Sequence, residues 1–314
     1  MPGISGLRAW WAERSPAAGA AVMPTGVVSV GLRMTGAESV SRVVLAMAGV
    51  AWAALAAAFV LRLVGERERW VTEAESLGAL TSVAATTVLG TRVSALGRQT
   101  LAEALLALAA LLWPVLLVMV VRRWRPRMPG AVFLCCVATE GLAVLGATLA
   151  AAERTAWLAH TALVLFWLGL VLYGLALARF DIRQVLEGAG DQWIAGGALA
   201  ISALAGANLL IAGDAGMYLW NDDDRGALRT VTTALLVLDL VWYVVRPRPG
   251  YDVLRWATVF PIGMTAVAAL PVGTALGVPW LDRPGRVLLW AAVAAWLAVA
   301  AGAVRAARAG GGDG

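Results

Sequence analysis

The sequence predicts an all-α integral membrane protein of ten transmembrane helices, arranged as five helical hairpins around a central pore, and three observations predict it. First, 61% of the 314 residues are hydrophobic and 14% are charged, with a mean hydropathy of +0.78, so too little polar surface exists to coat a soluble globule. Second, ten apolar stretches follow one another; at about 20 residues per span they use about 200 residues and leave only short connections. Third, all 25 basic residues are arginines, and they are unevenly placed. The N-terminus, the even-to-odd connections and the C-terminus hold 16, including Arg122, Arg123, Arg125 and Arg127, whereas the opposite connections hold 9. Positive charge collects on the cytoplasmic side, so both termini are expected there, as an even number of spans requires. The basic pI near 10 therefore needs no nucleic acid.

The segments run in order as follows. Segment 17–34 carries Pro24 and Gly26, and 39–63 is almost pure Ala, Val and Leu. Segment 77–96 holds Gly78 and Gly90, and 99–121 holds Pro114. Segment 129–151 contains adjacent Cys135 and Cys136, which cannot staple distant parts of the chain and read as small buried hydrophobes, and then Gly141 and Gly146. Segment 155–178 holds the single histidine, His160, expected to be packed near the interface. Segment 192–212 carries Gly196, Gly197 and Gly206; 228–245 has neither glycine nor proline. Segment 253–276 is interrupted by Pro261, Gly263 and Pro271, and 285–304 has, after Gly285 at its start, one late glycine. Residues 1–16 have no apolar run that would read as a cleavable signal. One domain, 1–314, is expected, with 1–16 and 305–314 as cytoplasmic tails.

Breaker residues thus gather on the odd segments. Smooth helices suit lipid, whereas bent ones suit an interior lining. Gly26, Gly90, Gly146, Gly206 and Gly263 recur at intervals near sixty residues, about the length of a helical hairpin, which places one inner and one outer helix in each of five repeats. In the ninth segment Pro261 removes a backbone donor and bends the helix beside a bulky aromatic. Phe260 is read there as the plug of a conduit; ordinary packing at a proline kink is the competing explanation.

Several polar groups lie on the odd segments. Thr25, Ser29, Thr87, Thr91, Thr139, Ser202, Asn208 and Thr265 are suited to replacing the water shell of an anion without trapping it. A lone membrane hydroxyl more often bonds its own helix, so the lumen reading rests on them as a set. Arg92, near the outer end of its segment, either draws anions in or snorkels. Glu140 lies mid-span, where an ionised carboxylate costs about 2.5 to 3.5 kcal/mol on the insertion scale, so it is expected to face inward. It is there held neutral, paired with an arginine such as Arg92, takes up a proton during transport, or bonds a neighbouring helix as a structural group. Asp239, beside Trp242 and Tyr243, reads as hydrated or paired with Arg246. The run 221–225 matches no known calcium loop and reads as a solvated turn.

Four stretches together resemble the tellurite-resistance/dicarboxylate transporter family, which also takes in plant slow anion channels, fungal malate permeases and sulfite efflux pumps. They are Met23-Pro-Thr-Gly-Val-Val-Ser29, Val137-Ala-Thr-Glu-Gly-Leu-Ala-Val-Leu-Gly146, Trp193 to Asn208, and Val259-Phe-Pro-Ile-Gly-Met264. The resemblance implies five hairpins around one pore per protomer, a homotrimer, and an aromatic of the ninth helix obstructing the pore, which here is Phe260. Two departures stand out: Pro24 replaces the usual glycine of Met-Gly-Thr-Gly, and Glu140 stands where a neutral amide is more usual. Pro24, Gly26, Pro261 and Gly263 are the expected kink positions.

The functional expectation is a plasma-membrane conduit for small anions, oxyanions or C4-dicarboxylates such as chloride, nitrate, sulfite, tellurite or malate. The alternative is a proton-coupled carrier of dicarboxylates or oxyanions with Glu140 as proton site. A membrane enzyme is the distant third, because one histidine, two adjacent cysteines and scattered acids do not converge into nucleophile, base or metal ligands. No cofactor and no metal are expected.

Overall fold

The computed structural model describes residues 19–187, 192–214, 222–242 and 256–309. Within them the chain is helical, and the only β-type pairing is an isolated bridge between Met128 and Phe180. Ten helices have fifteen residues or more: α1 (Gly19–Met34), α2 (Glu38–Gly65), α3 (Leu80–Ser94), α4 (Gln99–Val121), α5 (Leu134–Glu153), α6 (Ala156–Arg179), α7 (Trp193–Asp214), α8 (Asp222–Asp239), α9 (Trp256–Leu276) and α10 (Asp282–Ala309). Seven of the described helices are long and apolar enough to cross a membrane; α1, α3 and α8 fall short of that length or composition. Each coincides with one of the ten apolar stretches. The largest departure is at α8, which starts at Asp222. The acidic residues expected in a solvated turn therefore form a first helical turn, where carboxylates offset the positive end of the helix dipole. Asn221, Tyr243, Arg246, the expected tail 1–16 and residues 310–314 of the tail expected at 305–314 lie outside the described residues, while 305–309 continue α10.

The four odd-to-even turns among the described residues share one device. Gly36 (φ 88), Gly97 (φ 78), Arg154 (φ 55) and Gly277 (φ 69) each adopt the left-handed conformation at a helix end. Each is followed by an amide that reaches back five residues: Ala37 to Leu32 (2.9 Å), Arg98 to Val93 (3.3 Å), Thr155 to Ala150 (3.1 Å) and Val278 to Gly273 (2.8 Å). Such bonds satisfy the last helical carbonyls and reverse the chain within a few residues. Three of the four positions are glycine because a Cβ disfavours that φ.

Each odd helix consequently packs on the even helix that follows it, and the odd helices also pack on one another in the closed order α1, α3, α5, α7, α9, α1. Burial follows the same division. The apolar windows of α5 and α7 are 94% and 89% buried, while those of α2 and α4 are 11% and 22% buried. The outer faces are instead Val, Leu and Ala in the open, such as Val50, Val64 and Leu111.

The recurring glycines sit at contacts, though not at equivalent ones. Gly26 receives Val88, Gly90 receives Leu145 and Gly263 receives Val27, all between inner helices, whereas Gly146 meets Ala162 on α6 and Gly206 meets Thr232 on α8. Small residues let helices approach until dispersion contacts form, which matters where lipid offers no hydrophobic drive between helices. The prolines do not interrupt the fold: α1 is continuous through Pro24 and α9 through Pro261 and Pro271. Losing one amide donor leaves the rest of the ladder intact, so the expected breaks are local.

Candidate functional site

One face of each inner helix lines a single axial cavity. Val27 and Val30 of α1, Thr87, Val88 and Thr91 of α3, Gly141 and Val144 of α5, Ile201 and Leu204 of α7, and Met264 and Val267 of α9 enclose it. Spacings of three and four put each set on one helical stripe. The cavity holds about 20 Å³, roughly the room that one water molecule needs. Its walls are almost wholly aliphatic. The two hydroxyls present donate to their own helix, Thr87 to the Ala84 carbonyl (2.9 Å) and Thr91 to the Thr87 carbonyl (3.0 Å).

Phe260 stands four residues before Met264 on the α9 stripe, and Gly197 stands four residues before Ile201 on the α7 stripe. The two meet: Cε1 and Cδ1 of Phe260 lie 2.7 and 3.1 Å from where a Cβ on Gly197 would be. With 1% of its surface exposed, the ring is fully enclosed. It therefore bridges α9 and α7 one turn beyond the cavity. At the opposite end, Asn208 extends the α7 stripe one turn past Leu204 and its Nδ2 donates to Thr148 Oγ1 of α5 (3.2 Å).

The polar lumen expected from the sequence is corrected on most of its residues. Thr87 and Thr91 line the cavity and Asn208 lies just beyond it, but the others turn toward neighbouring helices. Thr25 accepts from Trp296 Nε1 of α10 (2.9 Å) and donates to the Ala21 carbonyl (2.6 Å). Thr139 accepts from Trp113 Nε1 of α4 (2.9 Å) and donates to the Cys135 carbonyl (2.8 Å). Ser29 pairs with Ser41 of α2, each hydroxyl within 2.8 Å of the other's carbonyl. Thr265 donates to Asp239 Oδ2 of α8 (2.6 Å). A hydroxyl between two helices in lipid has only protein to bond, and helix-to-helix bonds supply that partner.

The charged candidates are also placed outside the cavity. Arg92 has a fully buried side chain, giving Nη2 to Glu38 Oε1 (2.8 Å) and Nε to Ser41 Oγ (3.0 Å), both on α2. It is thus paired with Glu38, not with Glu140, and it does not snorkel. Glu140 is buried, but its carboxyl points away from the lumen into the space left by Gly169 on α6. Neither of its oxygens has a donor among the described residues. The Ser202 hydroxyl of α7 faces it while donating to the Ala198 carbonyl (2.8 Å). Its neighbour Gly141 is the residue that reaches the cavity, one helical position having exchanged their roles. Asp239 is buried rather than hydrated, held between Thr265 and the backbone at Gly196. His160 is exposed on α6, its Nδ1 2.8 Å from the Ala156 carbonyl, and so is not packed. Among the described residues no group of three metal-ligating side chains comes together.

Three tryptophans of outer helices are bonded to inner-helix threonines. Trp52 of α2 donates to Thr86 of α3 (2.8 Å), Trp113 of α4 to Thr139 of α5, and Trp296 of α10 to Thr25 of α1. Each tryptophan ties an outer helix to the inner helix of the next hairpin, and each acceptor passes its own proton back to a carbonyl four residues earlier. Asp239 and Thr265 join α8 to α9 in the same position. The available signal was a mid-span tryptophan, away from the interfacial belts to which such residues are usually assigned.

Comparison with known proteins places these observations. Two uncharacterized membrane proteins of Mycobacterium tuberculosis, from strains CDC 1551 and H37Rv, are each 34% identical to the chain over 113 residues, which is 33% of the chain and 57% of the relative. The match thus spans little more than half the length of these curated relatives. A family model described as voltage-dependent anion channel (SLAC1) matches residues 14–304. Since that match runs from before α1 into the last turns of α10, the chain belongs to the voltage-dependent anion channel family, the tellurite-resistance/dicarboxylate transporter group that its motifs resemble.

Proposed function

We propose that the protein is an anion conduit of the plasma membrane, in which ten helices cross the bilayer as five hairpins, odd helices inside and even helices outside, with both termini cytoplasmic. Each protomer of a homotrimer carries its own pore, and Phe260 closes it. The permeant is a small anion, oxyanion or dicarboxylate of the chloride, nitrate, sulfite, tellurite or malate class. The observation carrying this reading is a single axial cavity lined by all five odd helices, with a buried aromatic one turn past its end. Aliphatic walls of this width exclude a hydrated ion, so the arrangement corresponds to a closed passage, and constrictions of this kind gate by dewetting.

The decisive experiment is anion flux into liposomes. Phe260→Ala raises flux several-fold while the protein retains its fold and assembly. A folded variant that conducts no better than the parent makes Phe260 a packing residue and removes the gate.

The second reading is proton-coupled carriage with Glu140 as the proton site. It is favoured by one observation, a buried carboxyl with no cation or N–H donor among the described residues. Against it, that carboxyl faces α6, so coupling would require α5 to turn. Flux that ignores an imposed pH gradient and persists in Glu140→Gln rejects the carrier.

A further inference from the structure

A second and larger cavity, about 320 Å³, lies between α2, α3 and α4, well away from the axial one. A stripe of α2 with Leu55, Phe59 and Leu63 forms one wall, Ala85 of α3 the back, and Leu108 and Leu112 of α4 the far side. Its polar lining is already bonded within the protein. Trp52 donates to Thr86, Thr86 to the Ser82 carbonyl, Thr81 to the Gly78 carbonyl and Ser82 to the Ala79 carbonyl. At one end Arg62 and Glu73 form an ion pair at 2.6 Å. Each of these hydroxyl protons is committed to a carbonyl and most of the lining is aliphatic or aromatic, so the space favours an apolar occupant with no hydrogen-bonding demand.

Two further observations identify that occupant. The α2 surface beside the cavity is exposed and aliphatic, as at Val60 and Val64, and the α2 and α4 windows are among the least buried of the membrane-length helices; the cavity therefore adjoins hydrocarbon. From Arg62 to Trp52 the α2 wall runs ten residues, about 15 Å at 1.5 Å per residue. That is half of a hydrocarbon core of about 30 Å, the depth of one leaflet.

We propose that this cavity holds one acyl chain of a phospholipid, with its headgroup at the level of the Arg62–Glu73 pair and its tail ending against Trp52. Because that pair presents both signs of charge, the site does not select anionic lipids. The inner wall is the back of α3, whose opposite side carries Thr87, Val88 and Thr91, so occupancy props the helix from behind. The proposal needs only that α2 and α4 face hydrocarbon, and it is independent of what the axial cavity carries.

The test uses the full chain in phosphatidylcholine liposomes containing a trace of phosphatidylcholine with a diazirine in one acyl chain. After irradiation, adducts are mapped by peptide mass spectrometry. Adducts on Leu55, Phe59 and Ala85 are expected to exceed those on the exposed α10 face around Val287 several-fold. Ala56→Phe, on the half-buried α2 wall, and Ala85→Leu, at the back, each fill the space and are expected to reduce the cavity adducts several-fold while leaving those on α10 unchanged. Replacing a third of the liposome lipid with phosphatidylglycerol is expected to leave the pattern as it was. Even labelling of the cavity and α10 in the parent protein overturns the proposal, because the contact is then ordinary bilayer solvation. So does labelling unchanged in whichever filled variant folds, or crosslinking of these residues to a second copy of the chain in place of lipid.

Discussion

The ring of Phe260 occupies the space that a side chain at position 197 would fill. The two residues stand at matching places on the α9 and α7 stripes, so the aromatic can lie across the axis only because its counterpart has no Cβ. Gly197→Ala is expected to force the ring aside or strain the packing, lowering stability by about 1–3 kcal/mol, the usual range for overpacking. Adding Phe260→Ala relieves the clash. Thermal denaturation of the two single variants and the double variant checks this: a double variant whose loss equals or exceeds the sum of the single losses contradicts the contact.

Arg92 and Glu38 form a pair with unequal ends. The arginine side chain is fully buried, whereas the glutamate side chain is 37% exposed. Removing the arginine leaves a carboxylate that water and Arg42 (2.9 Å) can still solvate. Removing the glutamate leaves a buried cation with no counterion, the situation that makes half-broken buried pairs costly. Glu38→Ala is therefore expected to destabilise more than Arg92→Met, and the double variant to resemble Arg92→Met. Because one partner is partly hydrated, the Glu38 effect falls short of that of a fully buried pair. Denaturation midpoints in detergent or nanodiscs provide the measurement.

Gly169 makes room for the Glu140 carboxyl. Gly169→Val is expected to expel or compress that group and lower stability by about 1–3 kcal/mol. Combined with Glu140→Ala, the same substitution fills space in place of creating a clash, so the two changes couple favourably. Glu140→Gln keeps the shape and is expected to fold normally. A double-mutant cycle with no coupling places the carboxyl elsewhere.

Trp113 and Thr139 test the ties between hairpins. Trp113→Phe removes one hydrogen bond while keeping most of the aromatic bulk, and is expected to cost about 0.5–1.5 kcal/mol. Thr139→Val loses the same bond and the one to Cys135. The double variant costs less than the sum, because both singles remove a shared interaction. Strict additivity in thermal unfolding removes the tie.

How much of this was legible in the sequence differs by level. A helical membrane protein follows from hydropathy, since a backbone in hydrocarbon must bond within itself and leaves little alternative to helix. Side-chain direction is harder, as Glu140 and Gly141 illustrate: one position is a turn of about 100° on a helix, enough to exchange lumen for outer wall. Hydroxyls on inner helices were read as lining because composition reveals which helix carries them, but Thr25, Thr139 and Thr265 answer to a tryptophan or an acid on an outer helix many residues away. Pro261 and Gly263 mark the helix that carries Phe260, but its contact with Gly197 on α7 joins residues 63 positions apart and leaves no local pattern. The acyl-sized space beside α2 left no local pattern at all, since a void is defined by what several helices fail to fill.

The tryptophan ties behave like hoops around the staves of a cask. With neighbouring hairpins laced together at Thr25, Thr86 and Thr139, widening the bore by spreading the staves would mean unlacing several bonds at once, a collective event on the microsecond to millisecond scale. Turning one benzyl group aside asks for far less, so under the proposed gating the Phe260 ring, and not the laced wall, is the part that moves.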